Sequence, residues 1–266
     1  MPNTHRLIPG KSINLAEVPT RAEQFHSDRK AAEREFKDLR DELIRLQATL
    51  YAEGKRKLLI VLQAMDAGGK DGTIRHTFKG VNPQGVRVTS FKKPSTLELD
   101  HDFLWRIHKA VPGKGMIGVF NRSHYEDVLV VRVHDIVPHD VWEPRYEVIN
   151  QFEKHLVDSG TVVLKFFLHI SKEEQKERFQ DRLDEPEKHW KFDVGDLEKR
   201  KHWDAYQNAF QDMLNRCTTS HAPWHLIPAD QKWYRNLAIM RVVVDTLKGM
   251  NLQFPESDDL TNIVIN

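Results

Sequence analysis

Apolar and polar positions follow two different rhythms along the chain. From Arg29 to Glu53, Phe36, Leu39, Leu43, Leu46 and Leu50 recur at three- and four-residue intervals, the spacing of one helix face, and Gly54 supplies a stop signal. Beyond it come short apolar runs: KLLIVLQA (57–64), VRVTSF (86–91), GMIGVFN (115–121), TVVLKFFLHI (161–170) and WHLIPA (224–229). Each has the length of a strand, and helical patterns fill the intervals, the last from Trp233 to Met250. Continuous apolar strands separated by helices predict a mostly parallel sheet covered on both faces, a three-layer α/β/α fold. Ligands in such folds sit beyond the carboxyl ends of the strands. Three ends therefore matter: Gln63–Gly72, Phe91–Pro94 and Asn121–Asp127.

Two segments depart from the alternation. Residues 1–28 hold scattered Pro, Gly and Asn and read as an extended N-terminal arm. Residues 172–204 are dense in charge and broken by Pro186 and Gly195. Ser171, with Glu174 three residues on, predicts the start of a helix running to Leu183, followed by a loop and a second helix. Lacking a strand of its own, this pair reads as a helical lid over the strand ends. The expected organisation is one domain over 29–255 with that lid, and a tail over 256–266.

Bulk composition narrows the field. At 266 residues, one large α/β domain with a substantial core is expected. The formal net charge is +1, so nothing global points to nucleic acid or a membrane surface, and any basic site must be local. Cys217 is the single cysteine, which excludes an intramolecular disulfide and suits a reducing cytoplasm. No apolar run reaches the ~18 residues of a membrane span. The opening stretch MPNTHRLIPGKSINL lacks the apolar core of a signal peptide. A cytoplasmic location is expected.

The stretch QAMDAGGKDG (63–72) is nearly a Walker A phosphate loop. It follows a predicted strand and precedes a predicted helix. Backbone N–H groups of Ala67, Gly68, Gly69, Lys70, Asp71 and Gly72 would face an anion there, with the Lys70 ammonium beside them. Ala64 replaces the leading glycine, and Asp71 replaces the usual Ser or Thr. Carboxylates at Asp66 and Asp71 among phosphates make sense chiefly with divalent cations to bridge them. A plain strand–helix turn would also contain glycines, but GVFNRSHYED (118–127) argues for more. P-loop kinases commonly end this strand in a magnesium-holding Asp. Here Asn121 and Arg122 stand at that end, and Glu126 and Asp127 could supply the charge.

Phosphoryl transfer depends on positioning and charge stabilisation more than on covalent work by the protein. The candidate cations are Lys70, Arg75, Lys92, Lys93, Arg122, Arg132, Arg178 and Arg182. Arg178 and Arg182 are four apart and share one exposed face of the lid helix. His124, Tyr125, Phe103 and Trp105 are the aromatic candidates near a base, each reading more readily as core. His124 is also counted among the phosphate-binding residues.

The ordered set QAMDAGGKDG, SFKKPS, HDFLWR, VFNRSHYEDVLV, HISKEEQKERFQDR, KHWKF and PADQKWYRN, from about Leu50 to Pro255, resembles the polyphosphate kinase 2 family. The resemblance implies a P-loop kinase-like fold similar to thymidylate kinases. It also implies transfer of phosphoryl groups between inorganic polyphosphate and nucleotides with Mg2+, or Mn2+ in its place. Asp66 and Asp127 are then expected to organise the metal, with Lys70, Arg122, Glu126 and Arg178 as further catalytic residues. Members acting mainly on nucleoside diphosphates usually read Asp-Arg-Ser-Trp-Tyr-Asn-Arg at the second strand end. The present Asn121-Arg122-Ser123-His124-Tyr125-Glu126-Asp127 looks like the class III members, which accept both AMP and ADP and yield ATP. A homo-oligomer is expected, with no nucleic acid or membrane partner. The alternatives are an ATP-dependent nucleoside monophosphate kinase of the same fold and a nucleotide-binding module without turnover. The missing Walker hydroxyl and Asn121 weigh against the first. The joint presence of Asp66, Lys70, Arg122 and Asp127 weighs against the second.

Overall fold

In the computed structural model, which describes residues 4–256, five strands make one parallel sheet. They are β1 (Lys57–Ala64), β2 (Val86–Ser90), β3 (Ile117–Asn121), β4 (Thr161–His169) and β5 (Trp224–Pro228), in the order β2-β3-β1-β4-β5. Helix α1 (Arg29–Glu53) precedes the sheet, and α2 (Lys70–Thr77) follows β1. Single-turn helices α3 (Thr96–Leu99) and α4 (Trp105–His108) link β2 to β3. Between β3 and β4 lie α5 (Val130–Val133), α6 (His139–Trp142) and α7 (Arg145–Asp158). Between β4 and β5 lie α8 (Lys172–Asp184), α9 (Val194–Lys201) and α10 (Trp203–Arg216), and α11 (Lys232–Gly249) closes the fold.

The apolar runs form strands because the centre of the sheet is dry on both faces. Seven of the eight β1 residues are buried, and Ile60 pairs with Val119 on one side and Leu164 on the other. Edge strand β2 is mostly exposed or half-buried, with Val88 46% exposed. Two helical groups cover the sheet: α1, α2 and α11 pack together, and α5, α7 and α10 form the other group. Asp28 caps α1 by accepting from the Ala31 amide, and Gly54 ends it at φ 62°. After β1 the chain moves to the β2–β3 side, and after β3 it crosses to β4. That reversal opens a crevice at the carboxyl ends of β1 and β3, where the phosphate loop lies.

The described part of the expected arm does not hang free. Leu7 N–H donates to the Trp224 carbonyl and Leu226 N–H to the His5 carbonyl, lengthening the sheet beyond β5. Leu15 and Ala22 are buried in the core. The tail expected over 256–266 lies outside the described residues apart from Glu256. Among the described residues, no helix is long and apolar enough to cross a membrane.

Candidate active site

The loop after β1 is shaped by backbone angles that few residues adopt. Ala67 (φ 59°) and Gly69 (φ 99°) are left-handed, and so is Arg122 (φ 61°) at the end of β3. For alanine and arginine such angles cost about 1–2 kcal/mol, and they cluster where the fold holds a functional loop. Gly69 is the residue before α2, so the first amides of that helix face the crevice. Lys70 is buried, and its ammonium donates to the carbonyls of Ala64 (2.9 Å) and Met65 (3.3 Å). Burial and the Arg122 charge push Lys70 down to about 8, although Asp66 and Glu126 pull the other way.

Across the crevice, Arg122 bridges two carboxylates. It donates to Asp66 Oδ1 and, at 3.3 Å, to Glu126 Oε2. Burial alone would raise the Asp66 pKa, but Arg122, Lys70 and Lys199 outweigh it and hold the carboxyl near 2. Asp66 is therefore ionised at neutral pH. Asn121 Nδ2 donates to Asp71 Oδ1 at 2.6 Å, so the residue that replaces the Walker hydroxyl ties α2 to the end of β3. The lid reaches the loop through Lys199 on α9, whose Nζ lies 3.0 Å from Asp66 Oδ2.

These elements enclose a cleft of about 770 Å³. It brings together Asp66 to Gly72, Arg75, Lys92, Lys93, Arg122, Arg178 and Arg182. Twelve lysines and arginines line it against five aspartates, in a chain whose net charge is only +1. The fold thus concentrates cations where a polyanion could lie. Lys92 and Lys93 also border a second cavity of about 500 Å³, walled by Trp105 and Lys109.

Several expected site residues fall outside this cleft, and two that line it, Arg178 and Arg182, are held by other partners. His124 is fully buried and lies 3.1 Å from Glu153, so it cannot meet a phosphate in the cleft. Tyr125 is core too, bonded to Glu153 and Lys165. Arg132 is drawn away by Asp212 (2.6 Å) and the Tyr146 hydroxyl. Asp127 does not share the Asp66 cleft; it pairs with Arg145 at 3.0 Å, and burial holds it up at about 6 despite Arg145 and Arg106. Glu126 is the carboxylate that the fold brings toward Asp66, through Arg122. Arg178 is not on an exposed face, because it is only 6% exposed. Its guanidinium donates to Glu174 and to the carbonyls of Ala67, Ala229 and Asp230. Arg182 donates to the Lys191 carbonyl and to Asp196 within the lid.

Lys199 and Arg235 are among the lining residues that the sequence did not single out. Lys199 sits in the charge run EKRK, where nothing local distinguishes it from its solvated neighbours. Arg235 belongs to PADQKWYRN, but only the fold shows that it is 2% exposed and packed under Gly69.

Among the described residues, no group of three or more His, Cys, Asp or Glu side chains is arranged as a metal cage. Magnesium in phosphoryl-transfer sites needs no such cage, since phosphates and water fill most of its sphere beside one or two carboxylates. Asp66, ionised on the cleft wall, and Asp71, which lines the same cleft, fit that demand.

Residues 26–255 match the model of the family described as Polyphosphate kinase 2. The chain belongs to the polyphosphate kinase 2 family. As a member, it is a phosphotransferase. An AMP/ADP-polyphosphate phosphotransferase of Meiothermus ruber is 52% identical over 98% of both chains. An ADP-polyphosphate phosphotransferase of Rhodopseudomonas palustris is 42% identical over 95% of this chain and 91% of its own. The crystal structure of polyphosphate kinase 2 from Arthrobacter aurescens TC1 superposes with a TM-score of 0.91 at 42% identity, covering 96% of this chain and 91% of that one.

Proposed function

We propose that this polyphosphate kinase 2 transfers phosphoryl groups from inorganic polyphosphate to both AMP and ADP, reversibly and with magnesium, so that ATP is an end product. The observation that carries the proposal is the cleft itself, a phosphate loop and a lid joined around a large surplus of cations. The name of the M. ruber relative and the strand-end sequence Asn121-Arg122-Ser123-His124-Tyr125-Glu126-Asp127 support the acceptor range. A single free cysteine, Cys217, suits a reducing, cytoplasmic setting. Self-association into a homo-oligomer also belongs to the proposal.

The chemistry asked of the chain is positioning and charge stabilisation. The first amides of α2 and the Lys70 ammonium would hold donor phosphate oxygens. Arg122, aimed between Asp66 and Glu126, would stabilise charge on the moving group. Asp66 and Asp71 would hold magnesium, which supplies charge neutralisation between donor and acceptor phosphates when bound. The lid, carrying Lys199, would exclude water that could otherwise accept the phosphoryl group.

A coupled assay with one acceptor and two alternative donors tests this. Polyphosphate should support turnover with AMP and with ADP, whereas ATP alone should be a poor donor to AMP. Turnover with ADP but never with AMP would refute the acceptor range. Turnover with ATP as the preferred donor would refute the donor.

A further inference from the structure

Resting on the proposed use of a polyanionic donor, the structure divides two neighbouring guanidinium groups between two jobs. Arg178 was one of the expected phosphate ligands, yet its donors are already committed. Nε meets Glu174 at 2.7 Å, Nη1 the Ala67 carbonyl at 3.0 Å, and Nη2 the carbonyls of Ala229 at 2.6 Å and Asp230 at 3.1 Å. This one side chain ties the phosphate loop to the loop after β5.

Arg235, on the first turn of α11, is the opposite case. It is 2% exposed, and among the described residues it forms no ion pair. Its Nε and Nη2 donate only to the side-chain oxygen of the adjacent Asn236, at 3.2 and 2.9 Å. Glu174, a carboxylate whose charge acts on it, is held by Arg178. Burial and the Arg178 charge push the group down to about 9, a mark of a cation with no counter-ion. Arg235 lines the cleft, and a Cβ on Gly69 would fall 1.9 Å from Nη1. The fork therefore lies against the residue that opens α2, on the same cleft as the first residues of that helix.

A buried guanidinium without a carboxylate is costly unless something completes it. We propose that Arg235 receives a phosphate group of the polyanionic donor at the N-terminus of α2, while Arg178 is the strut that holds the loop in shape for it. The glycine at 69 serves both ends, giving the left-handed turn and leaving room for the fork. A phosphate offers the paired oxygens that a guanidinium fork matches, and the donor chain would run over Gly69 toward Arg235 and Lys232.

The test uses the full chain and two variants, Arg235→Met and Arg235→Lys. Tripolyphosphate, added without nucleotide, should raise the melting temperature of the wild type but not of Arg235→Met. The unliganded melting temperature of Arg235→Met should not fall, because an uncompensated buried charge has been removed. With ADP as acceptor, the KM for polyphosphate should rise at least ~10-fold in Arg235→Met, as expected for losing a charge-assisted fork. Arg235→Lys should recover part of that loss, because a point charge replaces the fork. A wild-type KM together with a wild-type tripolyphosphate shift in Arg235→Met would overturn the proposal. If Arg235→Met does not fold, a wild-type KM in Arg235→Lys overturns it and a raised KM with unchanged unliganded melting supports it. The binding arm needs no turnover, so it judges Arg235 separately from the donor assay on wild type, which alone judges the use of polyphosphate.

Discussion

Gly69 stands at φ 99°, and an added Cβ would lie 1.9 Å from Arg235 Nη1. Gly69→Ala should therefore move both the loop and the guanidinium beneath it. A displacement near 1 Å at reacting groups can cost ~100-fold in rate, and that loss is expected in steady-state turnover of a folded Gly69→Ala protein. Near-normal turnover would mean that the loop geometry is not limiting. Arg178 gives a different signature. Its removal strands the buried carbonyls of Ala229 and Asp230 and the half-buried one of Ala67, so Arg178→Ala should lose about 2–4 kcal/mol in denaturant titration. Unchanged stability would show that those contacts are dispensable. Lys70, held down to about 8, is charged below that pH and neutral above it in the free protein. The KM for polyphosphate should therefore rise between pH 7 and pH 9, and a flat KM over that interval would count against Lys70 as a phosphate ligand. The roles of Arg178 and Arg235 were not separable from sequence. Both are arginines in charged stretches, and what divides them is whether carbonyls from distant loops reach the fork.

At the scale of elements, the turn His124–Val128 that follows Arg122 is fixed from below. Glu153 on α7 accepts from the Tyr125 hydroxyl at 2.8 Å, lies 3.1 Å from His124, and pairs with Lys165 on β4 at 2.6 Å. Both members of that ion pair are fully buried. Glu153→Gln would leave Lys165 charged in the core. Removing one partner of a buried pair costs about 3–5 kcal/mol, which a denaturation curve would register. A loss below about 1 kcal/mol would mean that the Tyr125 hydroxyl and the Cys217 carbonyl suffice to hold Lys165. The five strands and the long α1 were legible in the sequence because their apolar spacing is a local property, and Ser171 marked the start of α8 through its own side chain. Lys165 in TVVLKFFLH was not legible as anything but a strand residue, since its partner lies on another element. His124 carried the same ambiguity, and its contact with Glu153 resolves it as core.

Across the whole molecule, three distant segments converge on the strut behind the loop. Thr20 from the N-terminal arm donates to Asp230 Oδ2 at 2.7 Å, and the Ser171 amide at the root of the lid donates to Asp230 Oδ1 at 2.9 Å. Arg178 then links the Asp230 and Ala67 carbonyls. Arm, lid and phosphate loop are thereby held by one network, a convergence that no local pattern announced. The near-zero net charge hid the site as well, because acidic residues elsewhere offset the cations gathered in the cleft. What that gathering is for can be asked directly. The purified chain, incubated with AMP, polyphosphate and magnesium and no added ATP, is sampled over time and its nucleotides are separated by ion exchange. ADP should appear first and ATP after it, with no product when polyphosphate is omitted. If AMP stays unconverted while the same preparation phosphorylates it from ATP, the cleft is an ordinary nucleotide-kinase site and polyphosphate is not its donor.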